Sequence, residues 1–276
     1  EGPENVIEYA KRDRRWCQGN LQHGRLLAAP GLTWWSRFTF IRGIMAYLAS
    51  PLWLTLLATS ILAAIYPDIS VAFDGFGKSP VAVWTLGVAV AATLLLPKLL
   101  ILLRGIFDGH NQRFGGTPVA LMSVLGEILL STILAPTMLL LQTRAVAQVL
   151  LGIDGGWPAT KRGQDHVDLA DAFRASWWIV ALAGFALTGT MALAPAAAIW
   201  LAPATLPALI APLLIWATSH PAQGGLPLCF RTQIENAPSP VLLGHRTILA
   251  LWGSGELARP DQVMVPSMRV AGHVPS

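Results

Sequence analysis

At 276 residues, of which 54% are hydrophobic and only 12% charged, and with a mean hydropathy of +0.54, the chain excludes an ordinary soluble domain and points to lipid as its main solvent. A formal net charge of +4 rests on few cations, so their placement carries information. The two cysteines, Cys17 and Cys229, are far apart and show neither metal-ligand spacing nor a disulfide framework, so nothing demands an oxidising compartment. The chain opens at Glu1 without a basic, apolar, small-residue signal pattern and reads as a fragment of something longer.

The first feature in chain order is "KRDRRWCQGNLQH", residues 11 to 23, where Lys11, Arg12, Arg14 and Arg15 are followed at once by Trp16. "PGLTWWSRFTFIRGIM" comes next and places Trp34, Phe38, Ile41 and Met45 on one helical stripe flanked by Arg37 and Arg42. That pattern suits a helix in the headgroup plane, or equally the aromatic and basic collar of the span that follows.

Four apolar stretches reach the roughly 20 residues needed to cross hydrocarbon: 44 to 66, 81 to 103, 176 to 194 and 196 to 217. Residues 117 to 152 are also apolar but contain Pro136 and carry Glu127, Gln142, Arg144 and Gln148. A single straight helix there would far exceed the bilayer, so the favoured expectation is a Pro-broken interfacial or re-entrant pair, with two short spans as the alternative. Cations concentrate in 1 to 43, 104 to 116, 153 to 175 and the tail after 217, whereas 67 to 80 holds only Lys78. By the retention of Lys and Arg on the cytoplasmic side, both ends are expected there. The tail is rich in Pro and Gly with short apolar runs, and from about 258 it reads as extended or disordered. The expected fold class is all-α, a polytopic membrane helix bundle with interfacial amphipathic helices. It divides into 1–43 (basic motif and interfacial helix), 44–217 (transmembrane region) and 218–276 (cytoplasmic tail).

The basic cluster has two readings. Arginines beside a span attract anionic headgroups and enforce topology; they also form bidentate hydrogen bonds to phosphate oxygens. Trp16 adds a flat apolar face and an N–H donor, which suits a sugar next to a nucleotide diphosphate.

"RDRRWCQGNLQH" resembles the (Q/R)-x-x-R-W signature of processive family 2 glycosyltransferases, and its longer form resembles the bacterial glucosyltransferase H group that makes the backbone of osmoregulated periplasmic glucans. The likeness continues through "FIRGIMAYLASPLWL", "LLLPKLLILL", "LAPTMLLL" and "SPVLL". Arg12 stands where synthases of cellulose type carry Gln, which puts a glutamine contact to the acceptor in doubt.

The resemblance implies a β-1,2-linked glucan built from UDP-glucose at the cytoplasmic side of the bacterial inner membrane and exported across it. By likeness, Arg12, Arg14 and Arg15 compensate the UDP diphosphate and Trp16 stacks on the acceptor glucose. The reaction is an inverting displacement using a carboxylate base and a divalent metal, Mg2+ or Mn2+ with UDP-glucose. The family takes both from an upstream GT-A-type catalytic domain, whose Asp-x-Asp turn is missing here. "DHVDLADAF", 165 to 173, spaces its acids by three as a helical face does. No metal site and no catalytic residue is assigned to this chain, which is expected to be inactive alone. Implied partners are the bilayer, UDP-glucose and the growing glucan; a periplasmic glucan-processing protein and a homo-oligomer are compatible, and nucleic acid is not expected.

"WPATKRG" resembles a gating loop of this class, with Trp157, Thr160, Lys161 and Arg162 as its candidate residues; as plain topology anchors the two cations need no such role. Lys98, inside the second span, either snorkels or lines the sugar path, and Glu127 is either a channel or an interfacial group. The six histidines are scattered without ligand spacing, and Ser254 in "WGSGE" lacks a hydrolase frame. The competing reading is a membrane transporter or permease subunit with no chemistry of its own; a truncated gene product is the third.

Overall fold

The computed structural model describes residues 3, 5–66, 80–153, 156, 166–220, 228–231 and 238–253. Among them every regular element is a helix, so the chain is an all-α membrane bundle. The eight α-helices among the described residues are α1 (Val6–Gln22), α2 (Trp34–Ile65), α3 (Pro80–Phe107), α4 (Thr117–Leu150), α5 (Leu169–Leu193), α6 (Pro195–Leu209), α7 (Ala211–Ser219) and α8 (Pro240–Gly253). Two compact units result: Glu1–Leu99 with Val124–Leu226, and Leu100–Ser123 with Pro227–Ser276.

Four helices, α2, α3, α4 and α5, are long and apolar enough to cross a membrane, and α6 with α7 forms one bent pair with a 48° angle between them. Their large side chains, among them Leu56, Ile101, Phe185 and Trp200, are exposed; such apolar surface suits contact with lipid tails. The expected spans therefore all fall on helices. The fourth is the bent pair, broken at Ile210 where Pro207 and Pro212 each lack a backbone donor.

The region 117 to 152 differs from expectation. It is one uninterrupted helix, α4, of 34 residues with Pro136 inside it, and neither a hairpin nor a pair split at the proline. A proline removes a single backbone hydrogen bond, a small loss beside the packing of Leu140 and Leu141 on α5, α6 and α7. Similarly, Trp34, Phe38, Ile41 and Met45 lie in the opening turns of the same helix as the first span, the arrangement of a collar. At 32 residues α2 measures about 48 Å, which exceeds the ~30 Å hydrocarbon core by the length of that collar.

The first unit is built on small residues. Ile179 and Ala183 of α5 pack on Ala208 of α6 and Ala211 of α7, with Leu140 and Leu141 of α4 against them. Small side chains let helix backbones approach closely, which is how helices associate where no hydrophobic effect drives them together. A second cluster joins Cys17 of α1 to Ala145 and Val146 of α4, covered by Tyr47 and Leu48 of α2.

In the second unit the end of α3 turns back into α4 over a buried asparagine. Asn111 donates to the Leu102 carbonyl at 3.1 Å, and Gly109 and Gly115 on either side adopt left-handed backbone. Gly105 allows the fold: a Cβ there would lie 2.0 Å from Asn111 Oδ1. The tail that read as short apolar runs holds α8, entered through Ser239, whose Oγ accepts from the Leu242 N–H at 3.3 Å, with Pro240 at its first position.

A candidate acceptor groove on the basic helix

The cluster of arginines is helical because residues 5 to 8 form a capping signal. Asn5 accepts from the Glu8 N–H at 2.9 Å, and Glu8 in turn pairs with Lys11 at 2.7 Å, so α1 starts before its cations arrive. The helix then distributes those cations over different faces, since consecutive residues turn by about 100°.

Arg12, Arg15 and Trp16 fall together. With Gly19, Asn20 and His23 they line an open groove of about 540 Å3. Trp16 is 59% exposed, so its ring faces outward rather than into the bundle. Asn20 holds the Trp16 carbonyl through Nδ2 at 2.9 Å and sits so close to α2 that a Cβ on Gly43 would lie 2.2 Å from Asn20 Oδ1. His23 closes the groove by stacking on Phe40 of α2, with ring centroids 4.5 Å apart. Gly19 faces no atom within 4 Å where its Cβ would stand, so packing does not require it; it leaves the groove floor bare beside the indole.

Arg14 goes elsewhere. Its Nη2 donates to the Ile153 carbonyl at 2.7 Å, at the end of α4. That end closes with Gly152 in left-handed backbone, Ile153 N–H donating to Gln148 and Gly152 N–H to Val149, a Schellman arrangement that satisfies the last carbonyls. Arg14 thus ties α1 to the terminus of α4 and stands apart from the groove that Arg12 and Arg15 line.

Asp13 locks this rotation. Its carboxylate accepts from Tyr47 Oη at 3.2 Å and from Gln142 Nε2 at 3.2 Å, and Gln142 Oε1 accepts from Ser50 Oγ at 2.6 Å. One polar chain therefore joins α1, α2 and α4. Burial pushes the Asp13 carboxyl above the usual carboxylate range, against the pull of the hydrogen bonds from Gln142 and Tyr47. Cys17, fully buried one turn on, is pushed up to about 11, first by burial and then by the nearby Asp13. Sequence reasoning read Cys17 as a thiol without a metal or disulfide role and named Gln142 without a partner, but it passed over Asp13, which interrupts a run of cations, and Tyr47, a polar group inside an apolar helix.

The remaining candidates divide. Lys98 of α3 forms an ion pair with Glu127 of α4, so the two charges find each other; the sequence weighed them separately. Trp157, Thr160, Lys161 and Arg162 lie outside the described residues. Among the described residues no group of three His, Cys, Asp or Glu side chains lies close enough to hold a metal ion.

Geometry and composition define a helical membrane protein whose basic, tryptophan-bearing helix α1 packs on α2 and α4. The likeness read from the arginine–tryptophan motif holds along nearly the whole chain. It is 43% identical over 279 aligned residues to the Glucans biosynthesis glucosyltransferase H of Cereibacter sphaeroides, covering 98% of this chain and 46% of that protein. Proteins of the same name from Rhodopseudomonas palustris and Caulobacter vibrioides are 37% and 35% identical, over 76% and 78% of this chain. The chain spans less than half the length of these curated relatives, 46%, 31% and 33% in turn. No family model matches the chain, and no solved structure matches it.

Proposed function

We propose that the chain is the acceptor edge and membrane part of a processive family 2 glucosyltransferase that polymerises glucose from UDP-glucose into β-1,2-linked periplasmic glucan and exports it. The observation that carries this reading is the groove on α1, where two arginines and an exposed tryptophan share one face. Arg12 and Arg15 supply charge-assisted donors to the diphosphate, stabilising negative charge as it develops on the leaving group. The indole of Trp16 stacks against the apolar face of the acceptor glucose and fixes its hydroxyl for attack. Arg14 acts by holding α1 in register.

The base and the divalent metal, Mg2+ or Mn2+, belong to parts of the enzyme other than the described residues, and the chain alone is inactive. Trp157, Thr160, Lys161 and Arg162 form the gating loop over bound nucleotide. The protein sits in the bacterial inner membrane with both ends cytoplasmic. With α4 a single helix, that topology requires it to lie along the interface while α2, α3, α5 and the α6–α7 pair cross. Support comes from positive charge at both its ends, Arg104 and Arg113 before it and Arg14 beside its terminus.

The test is reconstitution of the full-length enzyme in proteoliposomes with labelled UDP-glucose, scoring polymer and the side on which it accumulates. Trp16→Ala should abolish most elongation while retaining UDP affinity, and Arg15→Ala should weaken UDP retention. Loss of UDP affinity in Trp16→Ala equal to its loss of elongation overturns the acceptor role. No polymer from the wild type, with sugar transport in its place, favours the permease reading.

A further inference from the structure

The face of α1 opposite the groove lines a second cavity, of about 300 Å3, between α1, α4, α5 and α7. Its polar lining is cationic: Lys11 and Arg14 from α1, and Arg144 with Gln148 from α4. No carboxylate lines it. Lys11 shares its charge with Glu8. The other two cations have no anionic partner among the described residues. Arg14 spends Nη2 on a neutral carbonyl, and its Nε is buried with no hydrogen-bond partner. Arg144 has neither a hydrogen bond nor an ion pair among the described residues; its guanidinium lies over the Trp178 ring at 5.3 Å. The rest of the wall is apolar, with Ile7 and Ile215 among its residues.

Two guanidinium groups facing one partly apolar cavity repel each other and leave donors unsatisfied, a cost that an anion with several acceptor oxygens removes. Phosphate fits the donors, and an acyl-bearing phosphate also fits the walls, in the way basic pockets between membrane helices take lipid headgroups. We infer that this cavity binds a phosphate group, either the headgroup of an anionic phospholipid or a free phosphate, and that its occupancy holds α1 against α4, α5 and α7. The inference rests on residues outside the acceptor groove and stands whether or not that groove takes a sugar.

The test follows thermal unfolding of the delipidated full-length protein in detergent, titrated with short-chain phosphatidylglycerol, short-chain phosphatidylcholine or inorganic phosphate. Phosphatidylglycerol should raise the midpoint, and Arg144→Gln should shift its half-saturating concentration upward by about ten-fold, the loss expected for one charged hydrogen bond. Lys11→Gln, a change at a half-exposed side chain, should shift it in the same direction and serves if Arg144→Gln does not fold. A variant-sensitive response to phosphatidylglycerol alone identifies the lipid source; the same response to inorganic phosphate identifies a free anion. No stabilisation by either, a response equal to that of phosphatidylcholine, or shifts identical in wild type and both variants overturn the inference.

Discussion

Asp13→Ala probes whether the polar chain through Tyr47 and Gln142 holds the groove-bearing helix in place. The substitution leaves the Tyr47 hydroxyl and the Gln142 amide without the acceptor that each reaches at 3.2 Å. Unpaired donors at partly buried sites cost about 1–3 kcal/mol each. Part is returned, because burial already raises the Asp13 carboxyl and removing the ion relieves that desolvation. The net is about 2 kcal/mol, or about 30-fold in the opening of α1 from α2 and α4. Asp13→Asn should cost far less: the new amide still accepts from Tyr47, and Gln142 accommodates it by rotating its own amide, with Ser50 Oγ then accepting. The readout is alkylation of Cys17, which is fully buried against Ala145 and Val146 and reacts only when α1 lifts, measured with Cys229 replaced by Ser. Asp13→Ala should label about 30-fold faster than wild type and Asp13→Asn within a few-fold. A rate for Asp13→Ala within two-fold of wild type, or equal rates in the two variants, refutes the reasoning.

Cys17 predicts its own pH dependence. Its folded thiol is raised to about 11 from an ordinary 9.0, so the unfolded chain releases the proton first and the stability this thiol contributes is whole below pH 9 and lost between 9 and 11. The thermal midpoint of wild type should therefore exceed that of Cys17→Ala at pH 8, and the gap should close toward pH 10.5; a constant gap refutes the burial of the thiol. Gly19→Ala should stabilise α1 by about 0.5–1 kcal/mol through helix propensity, since nothing stands in the way of a Cβ, yet slow elongation by roughening the groove floor; unimpaired elongation argues against acceptor contact there. Gly105→Ala should destabilise by about 1–3 kcal/mol, because the new Cβ displaces Asn111 from the Leu102 carbonyl, and an unchanged midpoint refutes that close approach. Lys98→Met and Glu127→Gln should each destabilise more than the double variant does; additive losses show that the two charges do not act as a pair.

How much of this was legible in the sequence follows from which interactions are local. A run of apolar residues is a local fact, so α2, α3, α5 and the α6–α7 pair were visible, and only Pro136 misled. A proline costs a single backbone hydrogen bond, and the contacts of Leu140 and Leu141 with α5, α6 and α7 just beyond it have no signature in linear order. The α1 helix was hidden by its cations, although Asn5 and Glu8 announce it three residues apart. Pairings across helices, Lys98 with Glu127 and Asp13 with Tyr47 and Gln142, have no signature in linear order.

The basic cluster shows the limit most plainly. In sequence Arg12, Arg14 and Arg15 are near-equivalent neighbours, and the family likeness gave all three to the nucleotide. A helical turn of about 100° per residue instead sends Arg12 and Arg15 to the groove with Trp16, and Arg14 to the end of α4 and the cavity shared with Lys11 and Arg144. The sorting is set by Asp13, whose hydrogen bonds to two other helices choose the rotation of α1. Four cations adjacent in sequence are thus divided between two cavities, Arg12 and Arg15 lining one and Lys11 and Arg14 the other, a sorting that follows from the rotation of one helix.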